Sequence, residues 1–396
     1  MHHGNKCSSM EQAREDLANE LASGTPNYAQ AVAGATRYCP LIAHVLQSLE
    51  KTEDPVYLNE PLLFTWTTGL GQRPRENWIS NKAVVWDKCM VLAAQALSYA
   101  DTVYNMLEDS AGSKFNEAGM HLRTAAGIFE RLYKVELPRW VGETAEEPRV
   151  VEAEPGICEG LVHFCLAEAQ QMAIGKALAA GTTPKTLLAR LCEGVRKLLE
   201  DSVSAMRKGG SSSAYGKLDS PFLVHISFQQ CIFRGLAYRF VAETAWAKDE
   251  YGVGLAYMIE ACKHVEERRD AVSLGLPPLT GPLRNIANDL KTLQAEFRGL
   301  RDTYSRENSS IYYEPVPELD ALDPLPPAVI MMKPQPSVPP PIPTEILSFK
   351  ATSGDSSGVV KDASSGGGEG GGGGADDSNK KTDEELAREL HEKLNT

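Results

Sequence analysis

Apolar residues recur at helical intervals through most of the chain, and the longest such stretch runs from Glu159 to Met206. Its first arm, GLVHFCLAEAQQMAIGKALAA, places Leu161, Cys165, Ala169, Met172 and Ala173 among strong helix formers. Gly181 ends that arm. Thr183 offers a capping hydroxyl, and Pro184 suits a first turn because its missing N–H would have no intrahelical partner there. The second arm, KTLLARLCEGVRKLLEDSVSAM, carries Leu187, Leu191, Val195 and Leu198 on one face with Leu188, Cys192 and Leu199 beside them. That stripe is wider than one packing seam requires, so the pattern predicts a helical hairpin with one edge packed inward and the other turned to a partner.

The same periodicity predicts helices over Met10 to Ala22, Asn27 to Leu49, Lys82 to Leu107, Phe115 to Tyr133, Pro221 to about Lys248 and Leu279 to Arg306, with 1–9 as a flexible N-terminus. One early segment differs: Phe64 to Thr67 favours an extended chain, Gly69 and Gly71 permit a turn, and Trp78 with Ile79 supplies a return, which predicts a small hairpin. Ala125 and Phe129 show the small-then-aromatic spacing of closely nested helices, and Ala237, Ala242, Tyr251 and Ala261 are similar to a tetratricopeptide unit. The expected fold is therefore dominated by α-helix, a curved solenoid-like body of antiparallel helical pairs with a small N-terminal β-hairpin, spanning 10–343. GGSSSAYG after Met206 reads as a flexible loop. Ile311 to Pro343 is too rich in proline for a helix and must run extended. Residues 344–381 form a Ser/Gly-rich linker expected to be disordered, and 382–396, TDEELARELHEKLNT, regain helical texture with a Thr382/Glu385 capping box and Leu386, Leu390 and Leu394 on one face.

A formal charge of −13 over 396 residues argues against nucleic acid as a partner, since phosphate neutralisation needs a basic footprint. Eight cysteines without a CxxC pair, no signal peptide and no long uncharged apolar run point to reduced thiols in the cytoplasm and to membrane association that is peripheral only. The Asn308-Ser309-Ser310 sequon is then incidental. Cys158, His163 and Cys165 are close in sequence but read as core rather than as metal ligands. No GxGxxG, Walker-type loop, HExxH or GxSxG is present, so no cofactor and no catalytic residue is assigned.

LLFTWTT near the start, VWDKCMVLAAQAL after it, LAEAQQMAIGKA in the middle and IYYEPVPELDALDPLPPAVIM after the last long helix follow the order and intervals of a Bro1 domain. The chain resembles a single-domain member of that family over roughly residues 30 to 335. The resemblance implies a non-enzymatic adaptor of the ESCRT membrane-remodelling machinery, working at endosomal membranes in multivesicular-body sorting or related remodelling. It implies a hydrophobic groove for the amphipathic C-terminal helix of the core ESCRT-III subunit. Alignment puts two aliphatic groove positions on Leu187 and Leu191 and a groove lysine on Lys176, while Ala173 stands where the family carries a large aromatic. From spacing alone the two leucines are core residues, and only the resemblance turns them toward a partner. Tyr312 matches a family tyrosine open to phosphorylation, whereas from the residues alone the favoured reading is a ring that covers apolar surface. PSVPPPIP fits an SH3-like aromatic groove or a stiff linker. The acidic Leu386/Leu390/Leu394 helix is similar to ubiquitin-interacting helices or to a generic partner helix. KLNT at the end lacks a prenylation cysteine. A helical enzyme or small-molecule receptor is the rival reading.

Overall fold

Why the chain splits into long helices is plain from its breakers, and the elements can be taken in order. The computed structural model describes residues 4–22, 27–51, 63–72, 78–110, 114–140, 149–209, 212–266 and 282–338. Helices α1 (Gly4–Ala22) and α2 (Tyr28–Lys51) precede strands β1 (Phe64–Thr67) and β2 (Trp78–Asn81), and α3 (Val84–Ser110) and α4 (Phe115–Arg131) follow. A π-turn over Leu132–Glu136 and the short α5 (Leu137–Arg139) lead to the central pair, α6 (Pro155–Ala180) and α7 (Lys185–Gly209). Then come α8 (Ser212–Gly216), α9 (Ser220–Trp246), α10 (Tyr251–Glu266) and α11 (Pro282–Glu307). Beyond a second π-turn at Asn308–Tyr312 the chain runs extended to residue 338, with one 3-10 turn at Leu319–Ala321.

The core is one continuous apolar cluster in which α6 and α7 pack against each other, α4 lies along α6, and α9 and α10 continue the layer beyond α7. Helix α6 is apolar nearly all round, as a helix buried between neighbours must be. Gly181 ends it with φ 69, the left-handed turn that glycine adopts without strain. Gly160 allows α7 to close in: a Cβ there would lie 2.3 Å from Met206 Cγ, and Ser202 Oγ donates to the Gly160 carbonyl at 2.7 Å.

The β-hairpin is the one expected, antiparallel with Phe64 opposite Asn81 and Thr67 opposite Trp78. Two buried carboxylates fix it. Asp87 on α3 accepts from Trp66 Nε1 at 2.7 Å and from Tyr38 OH at 2.6 Å. Glu152 accepts from Thr68 Oγ1 at 2.8 Å and from the N–H groups of Gly69 and Leu70 at 2.5 and 2.6 Å. At the end of α4 the π-turn brings Glu136 between Lys88 Nζ at 2.8 Å and Arg131 at 2.6 Å. Burial alone would raise that carboxyl, but the two cations outweigh it and hold it below the ordinary glutamate value.

Two expectations are corrected. The first helix begins at Gly4, so 1–9 is not a flexible end throughout; no proline interrupts Gly4 to Met10, and the α1 periodicity extends backwards. Part of GGSSSAYG forms α8. The chain beyond it pairs with the hairpin turn, Asp219 N donating to Leu70 O at 2.8 Å and Gln72 N to Lys217 O at 2.9 Å, which removes the freedom a Gly/Ser run would otherwise have. The linker 344–381 and the helix expected over 382–396, with Leu386, Leu390 and Leu394, lie outside the described residues.

Candidate functional site

The extended segment after Tyr313 acts as a strap across one face of the helical layer, touching α10, α7, α6 and α4 in turn. Backbone that runs extended over helices must find partners outside itself, and here each crossing supplies them. At α10, Gly252 N donates to the Glu314 carboxylate at 2.8 Å and Tyr257 OH donates to Asp323 O at 2.8 Å. At α7, Val329 N donates to the Arg190 carbonyl at 3.0 Å while Arg190 Nε reaches Pro327 O at 3.3 Å. At α4 the same arrangement recurs: Gln335 N donates to the Arg123 carbonyl at 3.0 Å and Arg123 Nε donates to Lys333 O at 3.0 Å.

Each clasp has a glycine one turn beyond its arginine. A Cβ on Gly194 would lie 2.1 Å from Val329 O, and one on Gly127 would lie 1.7 Å from Gln335 O. Between them, on α6, the buried Gln170 uses both ends of its amide. Nε2 donates to Leu191 O at 2.8 Å and Val329 O at 2.9 Å, and Oε1 accepts from Met331 N at 3.0 Å. Met331 and Met332 are buried by this attachment, and Ile330 between the clasps points outward.

Beside the strap, toward the start of α4 and the end of α6, lies a shelf. Lys176 Nζ donates to Asn116 Oδ1 at 2.8 Å and bridges the two helices. By helical phase Asn116, Met120, Arg123 and Gly127 share one stripe of α4, so Met120 stands between the lysine bridge and the strap clasp. Met120 is 52% exposed and Ile330 44%, large values for apolar side chains on a face otherwise closed. Lys333 is exposed at the shelf's strap edge.

The residues singled out from the sequence divide here. Ala173, Lys176 and Leu187 fall on the shelf side of the strap, and Leu191 lies level with the Gln170 attachment. Only Lys176 reaches the surface. Leu187 is 1% exposed, Leu191 0% and Ala173 1%, so all three are buried, Leu191 beneath the strap attachment. The open slot expected at the leucines is therefore corrected. With Ala173 and Ala177 both small and buried on α6, little side-chain bulk holds α6 and α7 apart at this end of the hairpin. Met120, Ile330 and the strap clasps were missed. The clasps had a signal in the sequence, since a glycine in mid-helix four residues after an arginine marks a close backbone approach.

Tyr312 is half-buried, its ring stacked on Tyr251 at a centroid separation of 3.4 Å and edge-on to Trp246 at 6.0 Å. Cys158 and Cys165 are buried in the core, where burial pushes both thiols up, and among the described residues no group of three or more His, Cys, Asp or Glu could hold a metal ion. No helix among them is long and apolar enough to cross a membrane.

A layer of helices carrying a clasped strap and a small apolar shelf with basic edges is a scaffold for binding. A family model described as the BRO1-like domain matches residues 2–354, and the chain belongs to that family. It is 24% identical over 321 residues to the BRO1 domain-containing protein BROX of Homo sapiens, covering 78% of this chain and 74% of that protein. It is also 24% identical over 220 residues to the vacuolar-sorting protein BRO1 of Arabidopsis thaliana, covering 55% of this chain and 24% of the relative. Among known structures, the ALIX BRO1 CHMP4C complex matches with a TM-score of 0.64 at 16% identity, covering 84% of this chain and 86% of that one. A structure described as the basis for endosomal targeting by the Bro1 domain matches with a TM-score of 0.59 at 14% identity, covering 84% and 82%.

Proposed function

We propose that this chain is a non-enzymatic ESCRT-associated adaptor that takes the amphipathic C-terminal helix of the core ESCRT-III subunit on the shelf beside the strap. The observation that carries the reading is the exposed Met120 standing on one stripe of α4 between the Lys176–Asn116 bridge and the Arg123 clasp of the strap. Apolar anchors flanked by a cation suit a helix that offers leucines along one side and carboxylates beside them. Two comparisons agree with it: the family, and the likeness to a Bro1 domain bound to CHMP4C. Ala173, Leu187 and Leu191 then act from beneath, setting the height of the shelf rather than touching the partner.

The protein would work at endosomal membranes, peripherally and through partners. PSVPPPIP would dock on an SH3-like domain, and residues 382–396 on ubiquitin or another partner. Titration of a peptide carrying the ESCRT-III subunit's C-terminal helix onto the full chain tests the reading. Met120→Asp should weaken binding about tenfold or more, because it removes an apolar anchor and sets a carboxylate against the partner's apolar and acidic side, a loss of roughly 1–3 kcal/mol. Leu178→Asp is the control. Leu178 is exposed, and helical phase puts it on the opposite face of α6 from Lys176. Equal loss in both variants, or none in either, overturns the proposal.

A further inference from the structure

The shelf also fits a segment of this chain itself. Residues 382–396 carry Asp383, Glu384, Glu385, Glu389 and Glu392 against Arg388 and Lys393, with Leu386, Leu390 and Leu394 four residues apart. Their complement on the described surface is a place where apolar groups stand among cations. Met120 does so: it shares a stripe of α4 with Asn116, which Lys176 holds, and with Arg123, which holds the Lys333 carbonyl. Glu117, the carboxylate nearest in sequence on α4, leans instead toward His121 at 3.9 Å, and His121 packs on Tyr99 of α3. The exposed Val316 and Leu319, by contrast, lie close in sequence to Glu314, Glu318 and Asp320, which would repel an acidic segment.

The point of exit agrees with the charge. The strap is held on α4 at Gln335 by Arg123, so the last described residues of the chain lie close to the shelf beside it. The 43 residues between Val338 and Thr382 include a long Gly/Ser run. A Gly-rich chain of that length behaving as a random coil would span on the order of 35 Å, enough to bring 382–396 back and to hold it near the millimolar range of effective concentration.

We propose that residues 382–396 dock in cis on the Met120/Lys176/Lys333 shelf, with Leu386 and Leu390 on the apolar groups and Glu385 and Glu389 toward the lysines, and so compete with any partner helix for that face. This rests on the shelf being a helix-binding surface, as in the reading above, but not on which outside partner uses it. At millimolar effective concentration even a weak contact, with a dissociation constant of about 100 μM, would lower a partner's apparent affinity about tenfold.

The experiment uses the full chain and a zero-length carbodiimide cross-linker. Intramolecular links from Lys176 or Lys333 to Glu385 or Glu389 in the monomer are expected, and Met120→Asp or the double variant Leu386→Asp/Leu390→Asp should abolish them. Links only between two copies, links spread over unrelated lysines, or none at all overturn cis docking. The ESCRT-III peptide is then titrated onto wild type and onto the tail double variant. A gain of about five- to tenfold in the tail variant is expected. Tight peptide binding that the tail substitutions leave unchanged sinks the cis contact and spares the proposed function. Cross-links that form normally in a chain that binds no peptide sink the proposed partner and spare the cis contact.

Discussion

Val329 N–H donates to the Arg190 carbonyl at 3.0 Å, and Val329 O lies 2.1 Å from where a Cβ of Gly194 would be. The helix carbonyl already serves its own turn, so its second lone pair is reachable only if the residue one turn on has no side chain. Arg123, Gly127 and Gln335 repeat the device on α4. Gly194→Ala and Gly127→Ala should each cost about 1–3 kcal/mol, the usual penalty for overpacking, with the strap rather than the helix giving way. Denaturant midpoints measure the cost, and faster proteolysis near Val329 in Gly194→Ala reports that the strap has lifted.

Gln170 makes a separate case, because its loss would strand backbone groups of the strap. Gln170→Leu leaves Met331 N–H, Val329 O and Leu191 O without the contacts they have now. A buried backbone group left unpaired costs about 1–3 kcal/mol, so the variant should be destabilised by at least as much as either glycine variant. Since Gln170 pins the strap in its middle, amide exchange at Met331 should accelerate more than exchange in α9, which holds no part of the strap.

The helical hairpin, the β-ribbon and the extended strap were legible because each has a local cause: apolar spacing of three and four, alternation around Gly69 and Gly71, and proline density. The face that binds was only partly legible. Leu187 and Leu191 have the spacing of a groove and the spacing of a core, and burial alone separates the two. Met120 has no periodic signal at all, since its exposure depends on where the strap stops. Arg123 with Gly127, and Arg190 with Gly194, carried a readable sign in the mid-helix glycines, but its meaning needed the strap residues 210 and 137 positions away.

Tyr312 lies in a ring cluster in which Tyr251 stacks on it and Trp246 stacks on Tyr304 at 3.7 Å. Tyr251 OH also donates to Asp249 at 2.7 Å. Phosphorylation of Tyr312 would add about two negative charges beside that carboxylate and break the stack. Tyr312→Phe should leave the melting temperature almost unchanged, whereas Tyr312→Ala should lose about 0.5–1.5 kcal/mol of ring pairing, and the phosphorylated chain should melt below both. Thermal unfolding of the three forms settles the order.

Asp101 on α3 is part-buried, and burial pushes its carboxyl up to about 6. An acid raised in the folded state binds its proton more tightly there than in the unfolded chain. Its contribution therefore favours folding at low pH, fades as pH rises from the ordinary aspartate value through about 6, and is gone above that. Asp101→Asn should accordingly raise the melting temperature relative to wild type at pH 7.5, with the gap narrowing by pH 5. A gap that is constant across that range would remove burial of the charge as its cause.

Leu187 and Met120 separate a framework role from a contact role. Leu187→Asp and Leu191→Asp place a charge at positions that are 1% and 0% exposed, so both should lower stability by several kcal/mol, in the range of the severest point substitutions. Met120→Asp changes a side chain that is half in solvent, and its effect on stability should stay within about 0.5 kcal/mol. Peptide binding would fail in all three for different reasons, which a denaturation curve taken beside each titration tells apart. Should Leu187→Asp fold as wild type does and still lose the peptide, the leucine meets the partner directly and the shelf must open further than the closed face described here.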